Sequence, residues 1–194
     1  MDLNTVIQNL TPEFYIACFW IAFYPSFWNF VGRFEYYTRL VSKIFCGPRV
    51  AVVLLAICIE ALNLTRTAAF RATLEAHGKT EWLDNPIGYG LGLCCLTVGT
   101  TLVLSSYWML GFYGTFLGDH FGILMEGGPV TSFPFNVTDN PMYWGGAINY
   151  LGITMCSGSA IGFALMIPII IVYKIVIYFE EPFTSKLYSE KKQD

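Results

Sequence analysis

Four apolar runs, at residues 14–32, 50–65, 87–113 and 145–179, dominate this 194-residue chain, and turn-forming or charged residues separate them. A bilayer asks for about 20 apolar residues per helical span. In hydrocarbon every backbone N–H and C=O must find its partner inside the protein, which leaves helices as the natural form of such runs. Charged residues make up only 13% of the chain, where a soluble domain carries about a quarter. The expected fold class is an all-α integral membrane protein with about four hydrophobic helices, forming one membrane-embedded domain over residues 1–194.

The runs differ in character. Residues 14–32, FYIACFWIAFYPSFWNFVG, are crowded with aromatics and interrupted by Pro25, which would kink or break a helix. Tyr15, Trp20, Tyr24 and Trp28 suit the headgroup level. This segment is either re-entrant or a kinked span. A polar connector over 33–49 carries Arg33, Arg39, Lys43 and Arg49 and closes at the Gly47-Pro48 turn. Residues 50–65 read as a helix slightly short of a span, which can borrow a turn from either side. Glu60 and Asn63 lie one turn apart and share a face. They either sit near water or satisfy neighbouring helices, the plainer reading, or they line a headgroup or cosubstrate cavity.

Residues 66–86 are expected to form a polar loop that ends in Asp84-Asn85-Pro86, a helix-start signal. Residues 87–113 are long enough to span, and Gly88, Gly90, Gly92 and Gly99 allow close helix packing. The 114–146 segment has no Lys or Arg and holds Asp119, His120, Glu126 and Asp139 among breakers such as Gly127-Gly128-Pro129 and Asn140-Pro141. So long an irregular loop points to function. As one straight helix, residues 145–179 would exceed ~50 Å against a hydrocarbon core of ~30 Å. Either the first part belongs to the loop region, or the chain turns back at Cys156-Ser157-Gly158-Ser159 as a hairpin. Glu180-Glu181-Pro182 ends the run, and a polar tail occupies 180–194.

Net charge is −3 with no basic block, so nucleic acid is not an expected partner. The six cysteines form no CxxC or Cys/His spacing and there are two histidines, His77 and His120; no metal site is expected, and the cysteines read as reduced, buried hydrophobes. The N-terminus lacks a basic n-region, so the first apolar segment is expected to stay in the mature protein. A hairpin over 145–179 would put seven Lys/Arg on the side of the C-terminal tail against three on the other. A single crossing would leave the tail and the 66–86 loop with three each on one side, against four. The positive-inside rule assigns the tail to the cytosol in either case, more firmly for the hairpin.

Asn136-Val137-Thr138 and Asn63-Leu64-Thr65 fit the glycosylation sequon. The strings LVLSSYWMLGFYGTFLGDHFGIL, FPFNVTDNPMYWGG, NYLG and EEPFTSKLY, with FYPSFWNFVGRFEYYTRL near the N-terminus, closely resemble the phosphatidylethanolamine N-methyltransferase family. The resemblance covers nearly the whole chain and is densest over 102–188. It implies methylation of phosphatidylethanolamine, or of its mono- and dimethyl forms, to phosphatidylcholine with S-adenosylmethionine as donor. Members sit in the endoplasmic reticulum membrane as multi-pass proteins, sometimes with associated mitochondrial membranes. The lipid and the bilayer are then the partners, and self-association is left open.

In this family a Gly-x-Gly in the third hydrophobic helix and a Glu-Glu pair after the last are associated with the cosubstrate. They map onto Thr97, Val98 and Gly99, where Thr97 departs from the first glycine, and onto Glu180 and Glu181. The NPMY turn resembles a His-Pro-x-Tyr turn of wider membrane methyltransferases and sterol reductases. It places Asn140, Pro141 and Tyr143 either at the cosubstrate pocket or in a plain interfacial turn. Carboxylates suit the cations of the cosubstrate. The lipid ammonium must lose a proton before attack, so a base is needed. Asp119, flanked by apolar residues in GDHFG, is the first choice; His120, Glu126 and Asp139 are the others. Two rival classes are a methyltransferase acting on isoprenylated cysteine and a non-enzymatic membrane scaffold.

Overall fold

A computed structural model of the chain describes residues 10–125 and 130–191. Glu126, the Gly127-Gly128-Pro129 breakers and residues 1–9 lie outside the described residues. The elements in order are α1 (Pro12–Thr38), α2 (Leu40–Ile44), α3 (Pro48–His77), α4 (Pro86–Thr115), a 3-10 turn (Gly118–Phe121), α5 (Pro141–Ser157) and α6 (Ile161–Lys191). Among the described residues, α1, α3, α4 and α6 are long and apolar enough to cross a membrane. A proline opens α1, α3, α4 and α5, where its missing N–H leaves no donor orphaned. Asn85 caps α4, its side-chain oxygen accepting from the Gly88 N–H at 2.9 Å, as the Asp84-Asn85-Pro86 signal implied.

The structure corrects two expectations and decides between two pairs of alternatives. First, α1 is one unbroken helix of 27 residues through Pro25, not a re-entrant segment. Trp28, only 7% exposed, packs 6.2 Å from Tyr143 inside the bundle. Second, the 66–86 loop shrinks to 78–85, because α3 continues to His77. Ala68, Ala69, Ala72 and Ala76 are strong helix formers, Phe70 and Leu74 bury one face, and Gly78 at φ +68 ends the helix. Third, the 33–49 connector is largely helical: α1 reaches Thr38 and α2 follows a left-handed Arg39. Glu35 makes that corner, accepting from the Ser42 N–H at 3.2 Å and from its hydroxyl. Fourth, of the two alternatives for the long apolar run the hairpin is the one that forms, turning at Gly158 (φ +67) between α5 and α6.

Hydrogen bonds identify two ends of the bundle. At one, the Thr73 hydroxyl donates to the Glu13 carbonyl at 2.9 Å. The Ser159 hydroxyl donates to the Leu74 carbonyl at 3.1 Å, and the Thr80 N–H to the Gly158 carbonyl at 2.8 Å. At the other, Arg33 donates to the Phe179 carbonyl at 2.6 Å. The tightest seam runs antiparallel between α4 and α5 and is lined with glycine. A Cβ on Gly152 would stand 2.8 Å from Leu96 and 2.9 Å from the Gly92 carbonyl. One on Gly99 would stand 2.6 Å from the Gly145 carbonyl. By contrast α3 and α4, consecutive in the chain, scarcely touch. The Tyr107 hydroxyl reaches across that gap to Glu60 at 3.0 Å.

Gly152→Leu is expected to force the seam apart and destabilise the protein by about 1–3 kcal/mol, read as a lower thermal unfolding temperature in detergent. Arg33, Arg39, Lys43, Arg49 and Lys186 flank the end where α6 finishes, against Arg71 and Lys79 at the other, which by the positive-inside rule makes the former the expected cytosolic end. Asn136 belongs to that cytosolic end and Asn63 lies within α3. Neither sequon is therefore expected to carry a glycan, and glycosidase treatment should leave gel mobility unchanged.

Candidate active site

The gap between α3 and α4 is the wall of a cavity of about 920 Å³ that α1, α5 and α6 close from behind. At its cytosolic end the α5–α6 hairpin joins two sequence motifs forty residues apart. Asn140, which precedes α5, donates through Nδ2 to Glu181 Oε1 at 2.6 Å. One turn later the Tyr143 hydroxyl donates to Glu180 Oε2. The pair does not end its helix as the sequence implied: α6 continues through Pro182 to Lys191, so both carboxylates lie inside it, and each has gained a neutral donor from the start of α5. Tyr143 is itself held between the rings of Trp28 and Tyr173, the latter 5.3 Å away. All four of Asn140, Tyr143, Glu180 and Glu181 line the cavity.

Asp119 lines it too, from the 3-10 turn. Its Oδ1 accepts from the His120 N–H at 2.9 Å and meets His120 Nδ1 at 2.8 Å. His120 is buried behind it, its ring 4.8 Å from that of Phe183. Gly32 of α1 gives the imidazole its room, since a Cβ there would stand 2.9 Å from His120 Cδ2. His120 thus backs Asp119 rather than facing the cavity. Asp139 lines the exposed rim.

The Thr97-Val98-Gly99 set falls elsewhere. Thr97 is exposed, its hydroxyl bonded to the Leu93 carbonyl at 2.9 Å, and Val98 is 53% exposed. Gly99 is consumed by the seam with α5. None of the three lines the cavity; Leu96, Thr100 and Val103 of the same helix do. The physical reason is helical phase: a glycine face pressed onto α5 turns the residues beside it outward. Glu60 and Asn63 also part ways. Glu60 satisfies Tyr107 of the neighbouring helix, whereas Asn63 lines the cavity.

Sequence reasoning passed over a buried group at the opposite end of the cavity. Arg66, assigned to a loop, lies inside α3 and is 6% exposed. Its guanidinium rests 4.1 Å from the Tyr24 ring centre and 5.0 Å from that of Tyr150. The signal that could have found it is Asn63, one turn earlier in the same apolar stretch, whose Oδ1 accepts from Arg66 at 2.8 Å. Among the described residues no cluster of His, Cys, Asp or Glu is grouped to hold a metal ion.

The family model described as phospholipid methyltransferase matches residues 87–191. The chain is 47% identical to a phosphatidylethanolamine N-methyltransferase of Mus musculus, over 93% of this chain and 90% of the relative. It is 44% identical to the Homo sapiens protein of the same name, over 95% and 92%. It is 37% identical to a phosphatidyl-N-methylethanolamine N-methyltransferase of Saccharomyces cerevisiae, over 98% and 95%. No solved structure matches.

Tyr143→Phe removes the side-chain donor to Glu180 and leaves a half-buried carboxylate without it. A destabilisation of about 1–3 kcal/mol is expected. Asn140→Ala, at the more open Glu181, is expected to cost less. Thermal unfolding of both variants beside the parent checks the order.

Proposed function

This chain belongs to the phospholipid methyltransferase family, and we propose that it methylates the amine of phosphatidylethanolamine and of its mono- and dimethyl derivatives, with S-adenosylmethionine as donor, to yield phosphatidylcholine. The observation that carries this reading is the pair Glu180 and Glu181, clasped by Tyr143 and Asn140 at the mouth of the cavity. The donor brings an activated methyl group on a sulfonium, together with an ammonium and a carboxylate. Two carboxylates held by neutral donors fit a ligand with two cationic centres, because each oxygen left over is a charge-assisted acceptor. Their place at the cytosolic end suits a water-soluble cosubstrate. Thr97, Val98 and Gly99 receive less support as contacts, given where they lie.

For the chain's own residues the work is alignment and deprotonation. The cavity walls exclude water and hold the acceptor in line, which supplies proximity without a covalent intermediate. Asp119 is the proposed base. His120 engages its Oδ1, leaving Oδ2 to take the proton from the lipid ammonium. The whole chain acts as one membrane-embedded domain, placed in the endoplasmic reticulum and in associated mitochondrial membranes. Identity is higher to the mammalian relatives named for the unmethylated lipid than to the yeast relative named for the monomethyl form. That favours phosphatidylethanolamine itself as an acceptor. Neither the isoprenylcysteine nor the scaffold alternative has support among these matches.

Membranes expressing the chain, supplied with labelled S-adenosylmethionine and one acceptor at a time, are expected to yield labelled phosphatidylcholine from phosphatidylethanolamine alone. No labelled lipid from any acceptor would refute the assignment. Glu180→Ala should weaken cosubstrate binding roughly tenfold or more with insertion intact. Asp119→Asn should lower kcat by about a hundredfold while sparing both KM values.

A further inference from the structure

The cavity is electrically polarised along its length. Glu180, Glu181, Asp119 and Asp139 line its cytosolic end, and Arg66 and Arg71 of α3 line the other. Arg66 is the buried member of that pair. It donates to Tyr173 Oη at 3.0 Å and to Asn63 Oδ1 at 2.8 Å. Its guanidinium also lies against the rings of Tyr24 and Tyr150, and its Nε has no hydrogen-bond partner. A guanidinium has five N–H donors, so these contacts leave it under-used. Every partner is neutral. Among the described residues the ion pairs are Lys79–Asp84 and Asp119–His120, and no carboxylate reaches Arg66. Glu60, on the same helix, is turned toward Tyr107.

A buried cation inside a membrane span is costly unless an anion meets it, and the cavity is the route by which one can arrive. We propose that Arg66 binds the phosphodiester of the lipid acceptor, so that the headgroup lies along the cavity with its phosphate at Arg66 and its amine toward Asp119 and Glu180. This deepens the proposed function and rests on it for the identity of the lipid. The arrangement matches the headgroup's own polarity: an ammonium and a phosphate joined by two carbons. Tyr173, bonded to Arg66, and Glu180 are seven residues apart on α6, about 10 Å along the axis. That leaves room for the ethanolamine arm and the methyl group to be transferred. A lipid of the cytosolic leaflet has this orientation, with the amine outermost and the phosphate deeper. It reaches the cavity sideways through the gap between α3 and α4, which scarcely touch. Arg is the side chain suited to this role, because its planar fork matches phosphate oxygens.

The test uses the full chain in nanodiscs and two probes: phosphatidylethanolamine, and a diacyl lipid bearing the same aminoethyl group on an uncharged ether linker. Lipid binding is measured without turnover, and methyl transfer separately. The parent protein is expected to prefer the phosphate-bearing lipid. Arg66→Gln should abolish that preference and raise the KM for phosphatidylethanolamine roughly tenfold or more, with the cosubstrate KM unchanged. Asn63→Asp guards against a misfolded Arg66 variant, because it keeps the arginine and supplies an internal counter-ion at the existing contact. It should also remove the preference while the protein stays folded. Equal losses for both lipids would assign Arg66 to packing and overturn the proposal. A rise in the cosubstrate KM alone would make the anion the cosubstrate carboxylate, and overturn it as well. Phosphate-dependent binding lost in Arg66→Gln, in a protein that methylates neither lipid, would refute the methyltransferase reading and leave the phosphate site standing.

Discussion

The close approach of α4 and α5 is the contact on which the rest of the architecture depends. Hydrocarbon offers no hydrophobic drive between helices, so packing must come from van der Waals contact. Gly92, Gly99, Gly145 and Gly152 let two backbones meet at distances that a single added Cβ would forbid. That seam fixes α5 beside α4 and returns the chain at Gly158, from which α6 runs back toward the cytosolic end. Without it, Asn140 and Tyr143 would have no reason to face Glu180 and Glu181. A row of glycines, none of which lines the cavity, thereby sets the geometry of its acidic end.

Charges inside this bundle fall into two groups, and the difference separates scaffold from site. Glu35 is fully buried but answered by Ser42, and it holds the α1–α2 corner. Glu60 is answered by Tyr107 and ties α3 to α4 across the gap. These acids are satisfied by neutral donors, as buried polar groups generally are. Arg66 has aromatic faces and two neutral acceptors, yet no anion. Glu180 and Glu181 each hold one neutral donor and retain acceptor capacity toward the cavity. The groups with capacity left over are those that line the cavity, which is where a zwitterionic ligand would make up the difference.

Helix existence was legible from length and apolar content, and simple arithmetic on the bilayer thickness excluded one straight helix over 145–179 without choosing between a hairpin and a loop followed by a span. Helix ends were less so. Residues 66–77 read as loop because they carry Arg66, Arg71 and Glu75, yet their alanines and the buried Phe70 and Leu74 keep them helical. Polarity is a poor guide to the end of a span when one face of the helix is turned into a polar cavity. The same effect hid Arg66. Of the site, Asn140, Tyr143, Glu180, Glu181 and Asp119 were named from motifs and do meet around one cavity. Thr97 and Val98 were named by position along α4 alone. Which side of a helix faces a cavity depends on what occupies the opposite side, and here a partner helix claims the glycines.

The missing contact between α3 and α4 follows from the same economy of surfaces. α4 spends its small face on α5, and α3 spends its apolar face on α1. The two faces that remain carry Asn63, Arg66, Thr100 and Tyr107. Such faces cannot close on one another without burying polar groups that have no mutual partners, and they cannot open to lipid tails without a similar cost. A cavity that admits a headgroup satisfies both conditions. The opening toward the bilayer is therefore a consequence of how the other helices pair, and a lipid whose polar part matches the two charged ends is the molecule best suited to enter it.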